Sequence, residues 1–332
     1  MKQDSLTHAL PAQDDRDSLS TPCSPFEPSS IATHSLPSNH QVQDIDRALL
    51  LAGGWVEKEG GLASRLLKKM TGPEFIRGVL GICIFFGLWY ALTTLYVPPR
   101  FEFIPSPVYL FQQWTSPHPA NGISLFTLVY YEHIFVSSLR VYAAFALAVI
   151  LGVPLGLLLG WNRTFRNMVF PVVELLRPIP PLAWVPLAVL TMTGIEMPVI
   201  FVTMLAGFFA TVLNSYLGVL SINDTYFRAA ACLGFSRRQT LLRVVVPGAL
   251  PFIFSGLQIA MGVAWFSLVG GEIIAGKSGL GFLIFDAYQN VQLSNIFIAM
   301  ITLGTLGYAS SAMIRYVGRV LMTWQLKERG AA

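Results

Sequence analysis

The chain has 332 residues, of which 54% are hydrophobic and only 12% charged, and its formal net charge is +4. Soluble domains carry about 25% charged residues, so this composition excludes an ordinary soluble protein. Several charge-free stretches reach the roughly 20 apolar residues that a bilayer crossing needs. The composition therefore indicates a membrane protein with several crossings, whose positive charge reports orientation rather than binding to nucleic acid.

Residues 1–60 differ in composition from the rest of the chain, being rich in Ser, Pro, Asp, Gln and His with nine acidic against four basic side chains. Such a segment cannot bury enough apolar surface to offset the entropy of ordering, which predicts a disordered cytoplasmic tail. Residues 61–74 are predicted to form a basic amphipathic linker on the inner leaflet, or simply a connecting segment. Residues 326–332 are predicted to form a C-terminal tail.

Six transmembrane helices are predicted within the domain of residues 75–325, which makes the chain an all-α polytopic membrane protein. The segments that predict them are 78–99, 141–162, 175–193, 198–219, 244–271 and 287–314. Lys and Arg concentrate on the cytoplasmic side of short loops. With both termini inside, fourteen Lys and Arg residues beyond residue 60 lie inside and three outside, so the sequence predicts cytoplasmic termini.

Two patterns within the crossings predict how the helices are built. Gly152, Gly156 and Gly160 recur every four residues, a spacing that lets a neighbouring helix approach closely. Three prolines between Arg177 and Trp184 remove backbone donors. Irregular backbone within a membrane is tolerated where it lines a cavity, so this stretch predicts either a helix start at the inner surface or a broken helix beside a translocation path.

The segment 221–246, between the fourth and fifth crossings, is too basic to cross a bilayer but is patterned like a short amphipathic helix. Its consecutive alanines and Leu233 predict a compact surface that fits a groove on a partner, and Gly234 permits a sharp turn or C-cap after them. Arg237 and Arg238 then present positive charge to an acidic partner. An ordinary basic inner loop is the alternative.

The spacing of this loop resembles that of the permease subunits of ATP-binding-cassette importers. That family has Glu-Ala-Ala, three residues, Gly, nine residues and then Ile-x-Leu-Pro, and the same positions here read Arg228-Ala229-Ala230, Gly234 and Val244-x-Val246-Pro247. The run Arg-Pro-Ile-Pro-Pro-Leu-Ala-Trp at residues 177–184 and Gly-Glu-Ile-Ile-Ala at residues 271–275 are most similar to the nitrate, sulfonate and taurine group. Arg228 departs from the family's Glu, so an ion pair through that carboxylate is absent or reversed.

The resemblance implies a type I importer permease fold in a bacterial inner membrane, used as a homodimer with ATPase subunits inside and a solute-binding protein outside. The solute is expected to be a small anion, first an organosulfonate such as taurine and alternatively nitrate, nitrite or bicarbonate. The chain itself is expected to be non-catalytic, with no cofactor or metal and with membrane lipid as a further partner. The residues expected to couple it to the ATPase are Arg228, Ala229, Ala230, Gly234, Arg237, Arg238 and Pro247.

Candidates for the translocation pathway come from polar residues within the crossings, where ionisable groups are costly. Arg140, Arg177 and Glu272 are charged, and the resemblance implies that the fifth helix, which carries Gln258, Trp265 and Ser267, lines the pathway. Two structural alternatives remain open at this point. Arg177 has the spacing to pair with Glu174 on one helix face. Arg140 lies near the outer end of a predicted helix, where it would anchor that helix at the lipid headgroups.

Residues 271–278 match the phosphate-loop expression G-x-x-x-x-G-K-[ST], but a phosphate loop follows a buried strand and opens a helix. Here the match ends a predicted membrane helix on the outer side, which excludes nucleotide binding. The five His residues have no metal-ligand spacing. The competing hypotheses from other classes are a secondary transporter that works alone, which would show internal repeats, and a membrane scaffold.

Overall fold

The computed structural model describes residues 73–95, 103–119 and 123–322. The predicted cytoplasmic tail at 1–60, residues 61–72 of the predicted linker and the predicted C-terminal tail at 326–332 lie outside the described residues.

The first helix, α1, covers Pro73–Tyr90 and continues through a π-helical turn at Ala91–Leu95. Large apolar side chains along it are exposed, among them Leu80, Phe85 and Leu88. A helix that is apolar on all sides fits a hydrocarbon environment, which agrees with the first predicted crossing.

The described residues contain ten further helices, all of them within the compact unit that begins at Tyr90. They are α2 (Pro107–Trp114), α3 (Leu128–Trp161), α4 (Arg163–Leu176), α5 (Val185–Thr191), α6 (Glu196–Leu220), α7 (Asp224–Cys232), α8 (Arg237–Thr240), α9 (Val246–Ala275), α10 (Leu280–Gln289) and α11 (Leu293–Leu321). A 3-10 turn at Pro181–Trp184 precedes α5, and a π-helical turn at Leu241–Val245 joins α8 to α9. The described residues contain no β-strand.

Five helices in the described part of the chain are long and apolar enough to cross a membrane, or six if one bent pair counts as a single span. The five are α1 with its π turn, α3, α6, α8 with α9, and α11. The bent pair joins Arg163–Leu176 to Pro181–Thr191 at an angle of 89°. The crossing predicted over 175–193 falls on this bent pair, because the prolines after Leu176 end one helix and a new one starts beyond them. Of the two alternatives predicted for residues 177–184, the bend agrees with the broken helix.

Two other predicted boundaries differ from the structure. Helix α3 begins at Leu128 rather than near residue 141 and has 34 residues, so it is about 51 Å long and exceeds the hydrocarbon thickness of roughly 30 Å. The hydropathy pattern predicted that this crossing begins after Arg140, because a charged residue was taken to lie outside the membrane. In the structure the Arg140 side chain is buried within the protein. The predicted crossing 287–314 is interrupted at Val291, whose φ of 58° ends α10 and separates it from α11.

The core of the larger unit is a close stack in which α6 packs against α3 on one side and α9 on the other. Glycines make this approach possible. A Cβ at Gly156 would meet the backbone oxygen of Val212, and a Cβ at Gly160 would meet the side chain of Val219. On the other side, Gly256 of α9 has no room for a Cβ beside Asn214. The glycine repeat predicted to serve helix packing is confirmed in that role.

Gly156→Ala is expected to destabilise the protein by about 1–3 kcal/mol, because the added methyl group forces α3 away from α6. Gly262→Ala on α9 is the matched control, since a Cβ there meets nothing within 4 Å and alanine favours the helix over glycine. Thermal unfolding of the detergent-solubilised protein should show a lower melting temperature for the first variant only. An equal effect of the two substitutions would contradict the packing role.

Candidate functional site

The inner loop between α6 and α9 is a tightly capped helical turn rather than an irregular connection. Asn223 starts α7, and its side-chain oxygen accepts a hydrogen bond from Thr225 N at 2.9 Å. At the other end Gly234 has φ +73°, and the backbone N–H groups of Gly234 and Phe235 donate to the oxygens of Ala231 and Ala230, both at 3.0 Å. These two hydrogen bonds form a Schellman cap, so Gly234 ends the helix as predicted.

The second half of the loop begins immediately after this cap. Ser236 and Gln239 form a capping box, with Ser236 Oγ accepting from Gln239 N at 3.3 Å and Gln239 Oε1 accepting from Ser236 N at 2.8 Å. Helix α8 then passes through the π turn directly into α9. No loop residue therefore separates α8 from the membrane-spanning helix.

The loop is held to the core by its inward face. The ring of Phe227 lies beside that of Trp161, with 6.4 Å between the ring centres and the planes tilted by 34°. Phe227 also packs against the core. Ala230 is buried, with 3% of its surface exposed, so it serves packing rather than partner contact. Pro247 is the second residue of α9 and half-buried. It directly follows the π-helical turn, and proline has no backbone N–H to donate to that turn.

The outward face of the loop carries the other coupling candidates. Arg228, Ala229, Gly234, Arg237 and Arg238 are all exposed. The loop also exposes apolar side chains that the sequence only partly predicted, because Leu233 is 73% exposed and Tyr226 and Leu242 are exposed as well. The spacing of Tyr226 and Leu233 by seven residues is the signal that would have found the first of these.

A second group of charged and polar residues surrounds Arg140, in the half of the bundle that the sequence predicts to be outer. Its guanidinium is 2% exposed and bonds Glu196 in a bidentate manner, with Nε donating to Oε2 and Nη2 to Oε1, both at 2.6 Å. Nη1 donates to Glu272 Oε1 at 2.8 Å and to the backbone oxygen of Ser278 at 2.6 Å. With these donors engaged inside the protein, Arg140 does not reach the headgroups, and the expected anchoring role does not fit its position.

Glu272, which is fully buried, organises the turn between α9 and α10. Its carboxylate accepts from Ser137 Oγ at 2.8 Å and from Gly281 N at 2.8 Å, in addition to Arg140. Ser137 Oγ in turn accepts from Leu280 N at 2.8 Å. The two carboxylates differ in setting, because the Glu196 side chain is 57% exposed and, among the described residues, is paired with Arg140 alone.

The turn that follows the phosphate-loop match at residues 271–278 is filled by groups of the protein itself. A Cβ at Gly279, whose φ is +116°, would meet the Glu272 carboxylate, and a Cβ at Gly276 or Gly281 would meet the backbone of α9. The first N–H groups of α10 are taken by Glu272, Ser137 and, at 2.9 Å, by Nδ1 of His133. A carboxylate of the protein therefore occupies the place that a phosphate would need.

The remaining pathway candidates have local structural roles or line clefts. Trp265 Nε1 donates to Ser310 Oγ at 2.9 Å, and Ser267 Oγ donates to Val202 O at 3.3 Å, with both side chains buried. Gln258 Nε2 donates to the backbone of its own helix and borders a cleft between α9 and α11.

Arg177 is exposed beside a separate cleft of about 450 Å³ between α4, α6 and α9. Glu174 lines the same cleft, but among the described residues no ion pair within 4 Å joins the two, so the expected local pair is not formed. In the described ranges, no group of three or more His, Cys, Asp or Glu side chains is placed to hold a metal ion.

Sequence reasoning missed three members of the outer network, Glu196, Ser137 and His133. Ser137 and His133 lie on α3 at the spacing that places them on the face of Arg140, which is a signal that could have found them. Glu196 carried no such signal, because it is separated from Arg140 by 56 residues and looked like a polar residue in a turn.

Arg140→Gln is expected to cost about 3–5 kcal/mol, because it leaves the buried Glu272 carboxylate without its cation. Glu196→Gln is the matched control, since an exposed partner contributes about 1 kcal/mol or less. Melting temperatures in detergent and the amount of protein recovered from membranes would measure both. Equal losses in the two variants would show that the exposed and buried arms of the network are not energetically distinct.

Comparison with known proteins gives one family and several relatives. Residues 152–322 match the model of the binding-protein-dependent transport system inner membrane component family. A probable ABC transporter permease protein of Brucella abortus is 41% identical over 58% of this chain and 77% of its own. The nitrate import permease protein NrtB of Synechocystis is 30% identical over 79% of this chain and 94% of its own, and the taurine transport system permease protein TauC of Escherichia coli is 32% identical over 73% and 87%.

Among solved structures, an inward-facing conformation of the MetNI methionine ABC transporter aligns with a TM-score of 0.50 and 17% identity. The alignment covers 58% of this chain and 94% of that one. At this identity the likeness concerns the fold alone, and it agrees with the type I permease fold that the loop motif implied.

Proposed function

The chain belongs to the binding-protein-dependent transport system inner membrane component family, within its nitrate, sulfonate and taurine group, and we propose that it forms the translocation pathway of an ATP-driven importer for a small anion. The observation that carries this proposal is the capped inner loop, which exposes an apolar and basic surface and continues without a break into α9. A protein that transported alone would have no use for such a surface.

An organosulfonate such as taurine is the first substrate, and nitrate, nitrite or bicarbonate is the alternative. Relatives named for taurine and for nitrate match this chain at similar identity, 32% and 30%. These solutes share a small size and an oxyanion group, which in taurine is a sulfonate on the same molecule as a protonated amine. The choice between them needs a transport measurement, because selectivity in such a system resides largely in the external binding protein.

Coupling is proposed to run from the ATPase through the loop to α9. A partner groove would receive Leu233 and the exposed alanines, while Arg237 and Arg238 face acidic groups at its rim. Movement of the partner then displaces α8, and the rigid junction with α9 carries that displacement into the membrane. In this scheme the chain hydrolyses nothing, and a separate subunit binds ATP.

The assembly proposed on this basis contains two copies of this chain, two ATPase subunits on the cytoplasmic side and a solute-binding protein on the outer side. The chain lies in the bacterial inner membrane with both termini in the cytoplasm, which follows from the distribution of Lys and Arg between inner and outer segments.

Reconstitution tests the transport proposal directly. The chain, co-expressed with an ATPase subunit and a solute-binding protein of the same importer class, would be placed in liposomes, and uptake of radiolabelled taurine and of nitrate would be followed with and without internal ATP. ATP-dependent uptake of either anion supports the proposal and identifies the solute. Uptake driven by an ion gradient without ATP or partners would identify a secondary transporter instead.

Gly234 offers a sharper test of the coupling loop. Nothing lies within 4 Å of a Cβ at this position, and φ is +73°, so Gly234→Asn keeps the left-handed turn that asparagine tolerates. Gly234→Glu adds a bulky charge to the partner-facing surface and is expected to reduce uptake by about tenfold or more, the equivalent of losing 1.4 kcal/mol of docking energy.

The asparagine variant should transport at nearly the normal rate, and both variants should reach the membrane in normal amounts. The direct readout of docking is the amount of ATPase subunit that co-purifies with each variant. Normal uptake and normal ATPase recovery with Gly234→Glu would refute the coupling role of this surface.

A further inference from the structure

A cleft of about 280 Å³ opens between α9 and α11, away from both sites described above. It is lined on one side by Pro251, Phe254, Ser255 and Gln258, and on the other by Arg315, Gly318, Arg319 and Met322. The floor forms where α11 approaches α9 closely, since a Cβ at Gly318 would lie 3.0 Å from the Phe254 ring.

The lining of this cleft is positively charged, with no Asp or Glu among its residues. Arg315 and Arg319 are one turn apart on α11, and like charges at this spacing destabilise a helix by about 0.2–0.5 kcal/mol. No described carboxylate lies within 4 Å of either guanidinium. Arg315 is half-buried, with its guanidinium 5.5 Å from the centre of the Tyr308 ring, so its charge is held in place beside the cleft.

The opposite wall supplies neutral hydrogen-bonding groups. Gln258 uses one side-chain N–H on the backbone oxygen of Phe254 at 3.2 Å, which leaves a second N–H, and the Ser255 side chain is exposed. Two guanidinium groups that face an amide and a hydroxyl are suited to bind an oxyanion, because one guanidinium can donate two parallel hydrogen bonds to phosphate-type oxygens. Met322 and Phe254 add an apolar border that fits the start of an acyl chain.

The cleft lies near the level of the inner headgroups in the proposed orientation. Arg315 and Arg319 are in the last two turns of α11, and Pro251 is in the second turn of α9, so both walls belong to the helix ends that face the cytoplasm. Basic pockets between membrane helices on this side bind the headgroups of acidic lipids. Only this placement rests on the proposed function; the charge and shape of the cleft do not.

We propose that the cleft between α9 and α11 binds a phosphate-type oxyanion through Arg315, Arg319, Gln258 and Ser255. The oxyanion is supplied either by an acidic phospholipid of the inner leaflet or by a soluble anion. Occupation neutralises the two arginines and joins α11 to the inner half of α9, the helix that continues into the coupling loop.

The test measures ligand-dependent stability of the full chain in detergent. Phosphatidylglycerol, phosphatidylcholine and inorganic phosphate are titrated separately at constant ionic strength, and the melting temperature is followed; native mass spectrometry counts bound lipid. The expected result is saturable stabilisation by phosphatidylglycerol that phosphatidylcholine does not reproduce, with half-saturation shifted by about tenfold, or 1.4 kcal/mol, when one arginine is replaced by glutamine.

Three kinds of variant make this result specific. Arg315→Gln and Arg319→Gln remove the cations, while Arg166→Gln on α4 removes the same charge outside the cleft. Ser255→Glu places a carboxylate at an exposed position on the opposite wall, where it pairs with the arginines and displaces the ligand, and Ser255→Gln is its neutral counterpart. This pair keeps the test valid even if an arginine variant fails to fold.

The outcomes separate the sources of the ligand from failure of the proposal. Stabilisation by phosphatidylglycerol that is lost in Arg315→Gln and Ser255→Glu, and retained in Arg166→Gln and Ser255→Gln, supports a lipid site. The same pattern with inorganic phosphate alone supports a soluble anion. Equal stabilisation of all variants, or none of the wild type, overturns the proposal and leaves the transport function untouched, because uptake is measured separately.

Discussion

The ion pair between Arg140 and Glu272 is the interaction on which the outer half of the bundle depends. Charges inside a membrane protein are costly unless they are paired and fully hydrogen-bonded, and here a single guanidinium meets Glu196 of α6, Glu272 of α9 and the backbone of the turn before α10. Removing any one of these helices would expose an uncompensated charge. The network therefore specifies their relative positions more strictly than apolar contacts alone.

Helix α9 connects this outer network to the inner loop. Its 30 residues span about 45 Å, with Glu272 near one end and the junction with α8 at the other. Between these ends, close glycine contacts hold α9 against α6. One continuous helix therefore connects the turn that carries Glu272 to the loop proposed to meet the ATPase.

The two candidate sites differ in how far sequence could predict them. The residues of the coupling loop are close together in the sequence: its alanines, Gly234 and Pro247 belong to one short segment. Capping rules describe what each of these residue types does at a helix end. Even so, the sequence did not separate buried Ala230 from exposed Ala229, because that depends on which face Phe227 turns inward. In the outer network Arg140 bonds Glu196, which is 56 positions away in the sequence, and Glu272, which is 132 positions away. No spacing rule operates over such separations.

The sequence by itself determined that this chain crosses a membrane several times, and it predicted which way the chain faces and which loop meets a partner, because hydropathy, charge distribution and turn chemistry are properties of short segments. It also identified the glycines of α3 as packing positions. Only the tertiary structure decided that Arg140 is a buried structural cation and that Trp265 and Ser267 are satisfied within the core. It also decided between the two alternatives that the sequence left open for the prolines after Leu176, which lie at the bend between two helices. Those outcomes depend on which distant groups share a low-dielectric interior, and burial and pairing there are settled by the packing of helices rather than by any one of them.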